Sequence, residues 1–190
     1  MDKEISITIQ KKYNDFQDLI GEIDYLNEEC CEKLETISNF ISTIVDSKEK
    51  LKIKLKEPMY QIKNYLDNIE IKIEKMYSVI HESKSLISFN KLNDINLLNY
   101  RGKLKSEVSV NDLIEFMNIN VYYTEQDYQM KLNIFIKDLF QQQQSQEYSF
   151  DIAKIKNSIL LFRSKTLMNQ DHLDYVTSRI NIYNSILKEQ

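Results

Sequence analysis

The side chains best suited to acid–base, nucleophilic or metal chemistry are few in this chain: His81, His172 and the adjacent pair Cys30 and Cys31. A zinc-binding helix needs a second histidine four residues on from the first, and Ser85 and Val176 stand at those places. Both histidines are therefore read as exposed helix residues. Cys30 falls on an apolar stripe, where a thiol packs as a small hydrophobe and meets no base. Paired carboxylates such as Glu28 and Glu29 recur on any solvated helix and specify no reaction. With Gly21 and Gly102 the only glycines, no glycine-rich loop is available to cradle a phosphate. No catalytic, cofactor-binding or metal-ligating residue is assigned, and the chain is not expected to be an enzyme.

The one local concentration of charge is Lys48-Glu49-Lys50-Leu51-Lys52-Ile53-Lys54-Leu55-Lys56. Lys50, Lys52, Lys54 and Lys56 could meet an acidic protein, a phosphate backbone or an anionic membrane surface. The plainer reading, which is preferred, is a solvated edge. A second basic stretch holds Lys154, Lys156, Arg163 and Lys165. Against both stands a formal charge of −4 and a pI near 5.4. A general nucleic-acid binder carries the opposite excess, because its Lys and Arg must replace counterions on the phosphates.

The elements that would position these residues follow from punctuation and period. One proline, Pro58, joins the two glycines. A β-sandwich, a barrel or a doubly wound sheet of this length draws on many more for its turns, whereas helix interiors exclude both residues. Apolar content of 42% is enough for a core, so the reading is all-α.

From Ile9 the steps of four and three run through Tyr13, Phe16, Ile20, Ile23, Asn27, Cys30, Leu34, Ile37, Ile41 and Ile44, a heptad stripe that turns one face to one partner. Asn27 is its single polar member. Two readings stay open: a buried asparagine that fixes register, or a stripe that drifts onto Leu26 for one turn. Leu51, Ile53 and Leu55 then alternate with lysines, a period of two. Pro58 suits the first turn of a helix. A connector near 46–57 that lets the second helix fold back is preferred to one helix kinked at Pro58. The register resumes with Ile62, Tyr65, Ile69, Met76, Val79 and Leu86.

Residues 88–105 hold short apolar clusters, asparagines and Gly102, and predict a broken helix and a loop. Ser109 with Asp112, and Thr124 with Asp127, each imitate a capping box and predict two short helices. Their separation suits a helix-turn-helix, but the polar face assigned to them, with Glu125, Asp127 and Asp138 against Lys131 and Lys137, is poorly suited to DNA. The polar tract at 141–147 reads as a loop. A last heptad stripe runs through Ile152, Ile155, Ile159, Phe162, Thr166, Asn169, Leu173, Val176, Ile180, Tyr183 and Leu187, with Thr166 and Asn169 as a polar layer.

The expectation is an all-α, elongated helical bundle of long coiled-coil-like heptad helices with a short-helix central segment. Its parts are 1–89 (heptad helices and the connector), 90–147 (short helices and loops) and 148–190 (a long C-terminal heptad helix). The expected function is a non-catalytic scaffold or interaction subunit of a multiprotein complex, a hetero-oligomer in which its partners are other protein subunits. Its binding seam would be Phe16, Ile20, Ile23, Leu34, Ile37, Ile41, Ile44, Ile159, Phe162, Leu173, Val176 and Ile180. The alternatives are an accessory nucleic-acid-contacting subunit of a nuclear complex and a membrane-tethering bundle. No cofactor is expected. The N-terminal residues lack the apolar core of a signal peptide, and no stretch approaches the roughly 20 apolar residues of a bilayer span. An intracellular place, nuclear or cytoplasmic, is expected, in keeping with cysteines too close together to staple distant segments.

Overall fold

A computed structural model of the chain describes residues 2–44, 48–89, 96–98, 105–140, 152–164 and 178. Helix α1 spans Asp2–Thr43, α2 Lys48–Phe89, α3 Val110–Ile134 and α4 Ile152–Arg163. A π-helical turn, Phe135–Phe140, follows α3 directly. Strands β1 (Asn96–Leu98) and β2 (Lys105–Ser109) form a small antiparallel ribbon, with Asn96 opposite Ser109 and Leu98 opposite Lys105. Among the described residues the buried side chains all lie on helices, in keeping with the scarcity of glycine and proline.

The stripe of α1 is its inward face. Ile9, Tyr13, Phe16, Ile23, Cys30, Leu34, Ile37 and Ile41 are buried, while Ile20 and Asn27 are half-buried. Ile44 lies just past the helix, its N–H donating to the Phe40 carbonyl at 2.9 Å.

Helix α2 begins earlier than its sequence suggests. Residues 48–57, expected as a connector, are helical, and Pro58 sits inside the helix instead of at its start. Leu51 and Leu55 are one turn apart and buried, whereas Ile53 between them is 74% exposed. The apparent period of two was one solvent-facing isoleucine set between two inward leucines. The inward stripe then continues through Met59, Ile62, Leu66, Ile69, Ile73, Met76 and Ile80. Tyr65, Val79 and Leu86, placed on the stripe by sequence, are only half-buried.

The two short helices expected in the centre are one, α3, and Thr124 lies well inside it. Val121 and Tyr128, on either side of Thr124, are buried one heptad apart. An unbroken inward stripe outweighs the local cap that Thr124 and Asp127 imitate. Ser109 does immediately precede α3.

The chain divides into two compact units, each assembled from separated stretches. Unit 1 comprises Met1–Ile20, Ile73–Tyr123 and Met168–Gln190, and unit 2 comprises Gly21–Lys72 and Thr124–Leu167. Both draw on the first two helices and on later chain, so they cut across the three linear segments drawn from sequence.

Within unit 2, Lys72 bridges to Glu22, the Tyr65 hydroxyl donates to Glu29 at 3.1 Å, and the Lys54 ammonium lies 6.0 Å above the Phe40 ring. One heptad forward along α1 is one heptad back along α2, which makes the pair antiparallel there. Helix α4 packs on the π-helical turn. Within unit 1, Phe16 and Ile9 of α1, Met76 and Ile80 of α2, and Leu113 and Met117 of α3 are among the buried side chains. Lys12 bridges to Glu82, and Lys84 donates to Asn118 at 2.9 Å.

Candidate functional site

Unit 2 holds the two arrangements with chemical content. The first is a charge on the inside. On α3 the inward positions run Val121, Tyr128, Lys131 and Phe135, at heptad-compatible spacing, so Lys131 projects toward the core. Its side chain is 3% exposed. The ammonium donates to Asp127 Oδ2 at 2.5 Å, one turn back on the same helix, and to Asn27 Oδ1 of α1 at 3.0 Å. A buried ammonium is tolerable only when paired and hydrogen-bonded, and these two acceptors supply both conditions. The second oxygen of Asp127 is buried with no hydrogen-bond partner.

Asn27, the single polar member of the α1 stripe, thus has its acceptor filled by a lysine from α3. A one-turn slip of α3 along α1 would leave an ammonium in the core without that acceptor, so the contact favours one register. Sequence reading placed Lys131 on a solvated polar face, and the structure corrects this. The signal was present: Tyr128 and Phe135 bracket Lys131 on the stripe, and an aspartate stands four residues before it.

A cleft of about 480 Å³ opens beside this cluster, lined by residues that include Asn27, Cys31, Lys131, Phe162 and Arg163. Arg163 bridges to Glu35 near its edge. Both cysteines are buried and free. Burial pushes the Cys30 thiol up to about 12, with the neighbouring Cys31 adding to it. Burial raises Cys31 as well, although Lys131 and Arg163 draw it back down. At both thiols burial is the larger effect, so the net direction is upward, away from the depressed value of a thiolate nucleophile. Tyr128 is likewise pushed up to about 12, first by burial and then by Glu70.

The second arrangement is on the outside. A groove of about 1040 Å³ runs between α2 and the π-helical turn. Helix α2 contributes Lys52, Ile53, Lys56 and Tyr60, among others, and the turn contributes Phe135 and Phe140. On an α-helix two residues five apart point about 140° away from each other. The wider π winding narrows that angle, and the two rings lie 6.3 Å apart. Phe135 is buried and Phe140 is 40% exposed, so the pair passes from the core to the groove.

The lysines singled out by sequence are all on α2. Lys50, Lys52, Lys54 and Lys56 are exposed, and Lys52 and Lys56, one turn apart, edge the groove. Lys54 points the other way, over Phe40. Lys156 of the second basic stretch lines a smaller cleft with Glu35, Ser38 and Leu160.

Of the twelve seam residues, Phe16, Ile23, Leu34, Ile37, Ile41, Ile159 and Phe162 are buried within the chain's own units, and Ile20 and Ile44 are half-buried. Leu173, Val176 and Ile180 lie outside the described residues, as do His172, Thr166, Asn169 and the 141–147 tract. His81 is exposed on α2. Among the described residues no group of His, Cys, Asp and Glu is arranged to hold a metal ion, and no helix is long and apolar enough to cross a membrane. No family model, curated protein or solved structure gives a match to the chain.

Proposed function

We propose that the chain is a non-catalytic α-helical interaction subunit of a larger protein assembly, docking through side chains on the outside of unit 2. The observation that carries this is the groove beside α2. Ile53 is 74% exposed and Tyr60 61% exposed, and both border the same concavity as Phe140. Singly exposed apolar residues are ordinary, but several lining one groove mark a surface that gains by being covered. Leu160 and Leu161, exposed side by side on α4, extend the apolar exterior of the same unit. Each Å² of apolar surface removed from water contributes about 25 cal/mol before the costs of association.

The heptad stripe of α1 has a different part in this reading. Its residues are closed within the chain, so they hold the subunit together and present its outer face, and the partners are other proteins bound on that face. The test is native purification of the tagged chain from its own cells in high salt, with stoichiometry by mass spectrometry. Other proteins at fixed stoichiometry are expected. Recovery of the chain alone, as monomer or homodimer, contradicts the proposal.

A further inference from the structure

The groove beside α2 combines two features that together describe an occupant. Its floor is apolar, from Ile53, Tyr60 and Phe140, and its α2 edge carries Lys52 and Lys56 beside Glu57, with Lys63 bridged to Asp67 one turn on. Of the five lysines in 48–57, Lys52 and Lys56 line the groove against the single Glu57, so this edge is basic in a chain whose net charge is −4. The stretch from Lys52 to Lys63 covers about 17 Å of helix at 1.5 Å per residue, or roughly three turns. We propose that this groove is the docking site for an amphipathic helix of a partner protein that carries aspartates and glutamates beside an apolar stripe. The inference rests on the interaction-subunit reading and specifies the chemistry of its partner.

The apolar stripe of that helix covers Ile53, Tyr60 and Phe140, side chains that otherwise face water, in the helix-in-groove mode. Its carboxylates meet the lysine edge, which steers the encounter and orients the helix more than it adds affinity. A single-stranded nucleic acid is the poorer fit. Tyr60 and Phe140 present rings on which bases can stack, but Ile53, the most exposed apolar side chain in the lining, gains only from an apolar cover, and a net charge of −4 is the reverse of the basic excess that a phosphate backbone calls for.

Carbodiimide coupling of the natively purified complex tests this, because it joins amines to carboxylates without a spacer. Cross-links from Lys52 and Lys56 to aspartates or glutamates of one helical partner segment are expected. The Lys52→Glu/Lys56→Glu double variant should lose that partner at least tenfold while its helical circular dichroism and melting temperature stay those of the parent. Both lysines are exposed, so this variant is expected to fold. Full retention of the partner by the folded variant, with cross-links elsewhere, overturns the groove proposal and leaves the subunit reading intact. A wild-type chain that brings down no partner overturns both. Recovery abolished by nuclease, or cross-links solely between copies of this chain, also contradicts the proposal, by showing a different occupant.

Discussion

The two compact units solve the burial problem differently. Among the described residues of unit 1 the buried side-chain polar groups are the hydroxyl of Tyr13 and that of Ser83, which donates back to the Val79 carbonyl at 2.7 Å, and neither carries a charge. Unit 2 is built from the same two long helices and has a lysine in its interior. Both units expose large apolar side chains, Ile7, Tyr77 and Tyr122 in unit 1 and Ile53, Tyr60 and Leu160 among those of unit 2, but it is Ile53 and Tyr60 of unit 2 that line the groove. An apolar interior tolerates register shifts that keep the stripe facing inward, whereas the contact between Lys131 and Asn27 has one satisfying alignment. The unit whose outer surface is assigned to a partner is also the one whose internal register is fixed by a directional bond. A groove lined from α2 and from the continuation of α3 keeps its shape only if those elements keep their alignment.

The largest effect expected from breaking this contrast is at Lys131. Lys131→Ala strands Asp127, whose side chain is 16% exposed, beside the core, and a loss of about 3–5 kcal/mol in urea unfolding is expected. Leu113→Ala in unit 1 should cost about 2–5 kcal/mol by opening a cavity. The two differ in how they are rescued. Replacing the whole layer, Asn27→Leu with Asp127→Leu and Lys131→Met, should return stability to the parent level or above it. If the triple variant is as unstable as Lys131→Ala, the polar layer is not what separates the units.

Alkali should weaken unit 2 next. The phenol of Tyr128 and the thiol of Cys30 titrate near 10.0 and 9.0 when unfolded and at about 12 when folded. Between those values the folded chain keeps protons that the unfolded chain has lost, so stability is intact below pH 9 and falls as pH rises from 9 to 12. A loss on the order of 4 kcal/mol by pH 11 is expected, the larger part from Cys30. Tyr128→Phe should remove the tyrosine part of that slope, and an unchanged profile would contradict the assignment. Gly21→Ala should stabilise by about 0.5–1 kcal/mol, since a Cβ there meets nothing within 4 Å in mid-helix. A lowered melting temperature would show a backbone need for glycine at the start of unit 2. Smallest of all, Lys12→Ala, which removes a bridge to the exposed Glu82, should cost under about 1 kcal/mol by the same measurement.

What the sequence made legible follows the length of each pattern. The stripe from Ile9 to Ile41 repeats often enough that no local accident disguises it, and the all-α class follows from it and from the lack of glycine and proline. Short windows misled. Leu51, Ile53 and Leu55 imitate a strand over five residues and resolve into a helix only when Leu51 and Leu55 are joined to Met59 and Ile62. Thr124 with Asp127 has the form of a cap, but the buried heptad from Val121 to Tyr128 passes through it. Lys131 was misplaced because charge was read by residue type before position on the stripe was considered. The groove was not legible at all: it depends on the π winding of Phe135–Phe140, and no simple period in FIKDLF announces that.

That unit 2 carries the docking surface is tested by native purification of two matched surface variants. Ile53→Asp alters an exposed side chain of unit 2 and Tyr122→Asp an exposed side chain of unit 1, and circular dichroism checks that both fold. Partner proteins should be lost from Ile53→Asp and retained at parental stoichiometry by Tyr122→Asp. Retention by Ile53→Asp with loss from Tyr122→Asp would place the interface on unit 1 and contradict a docking surface on unit 2.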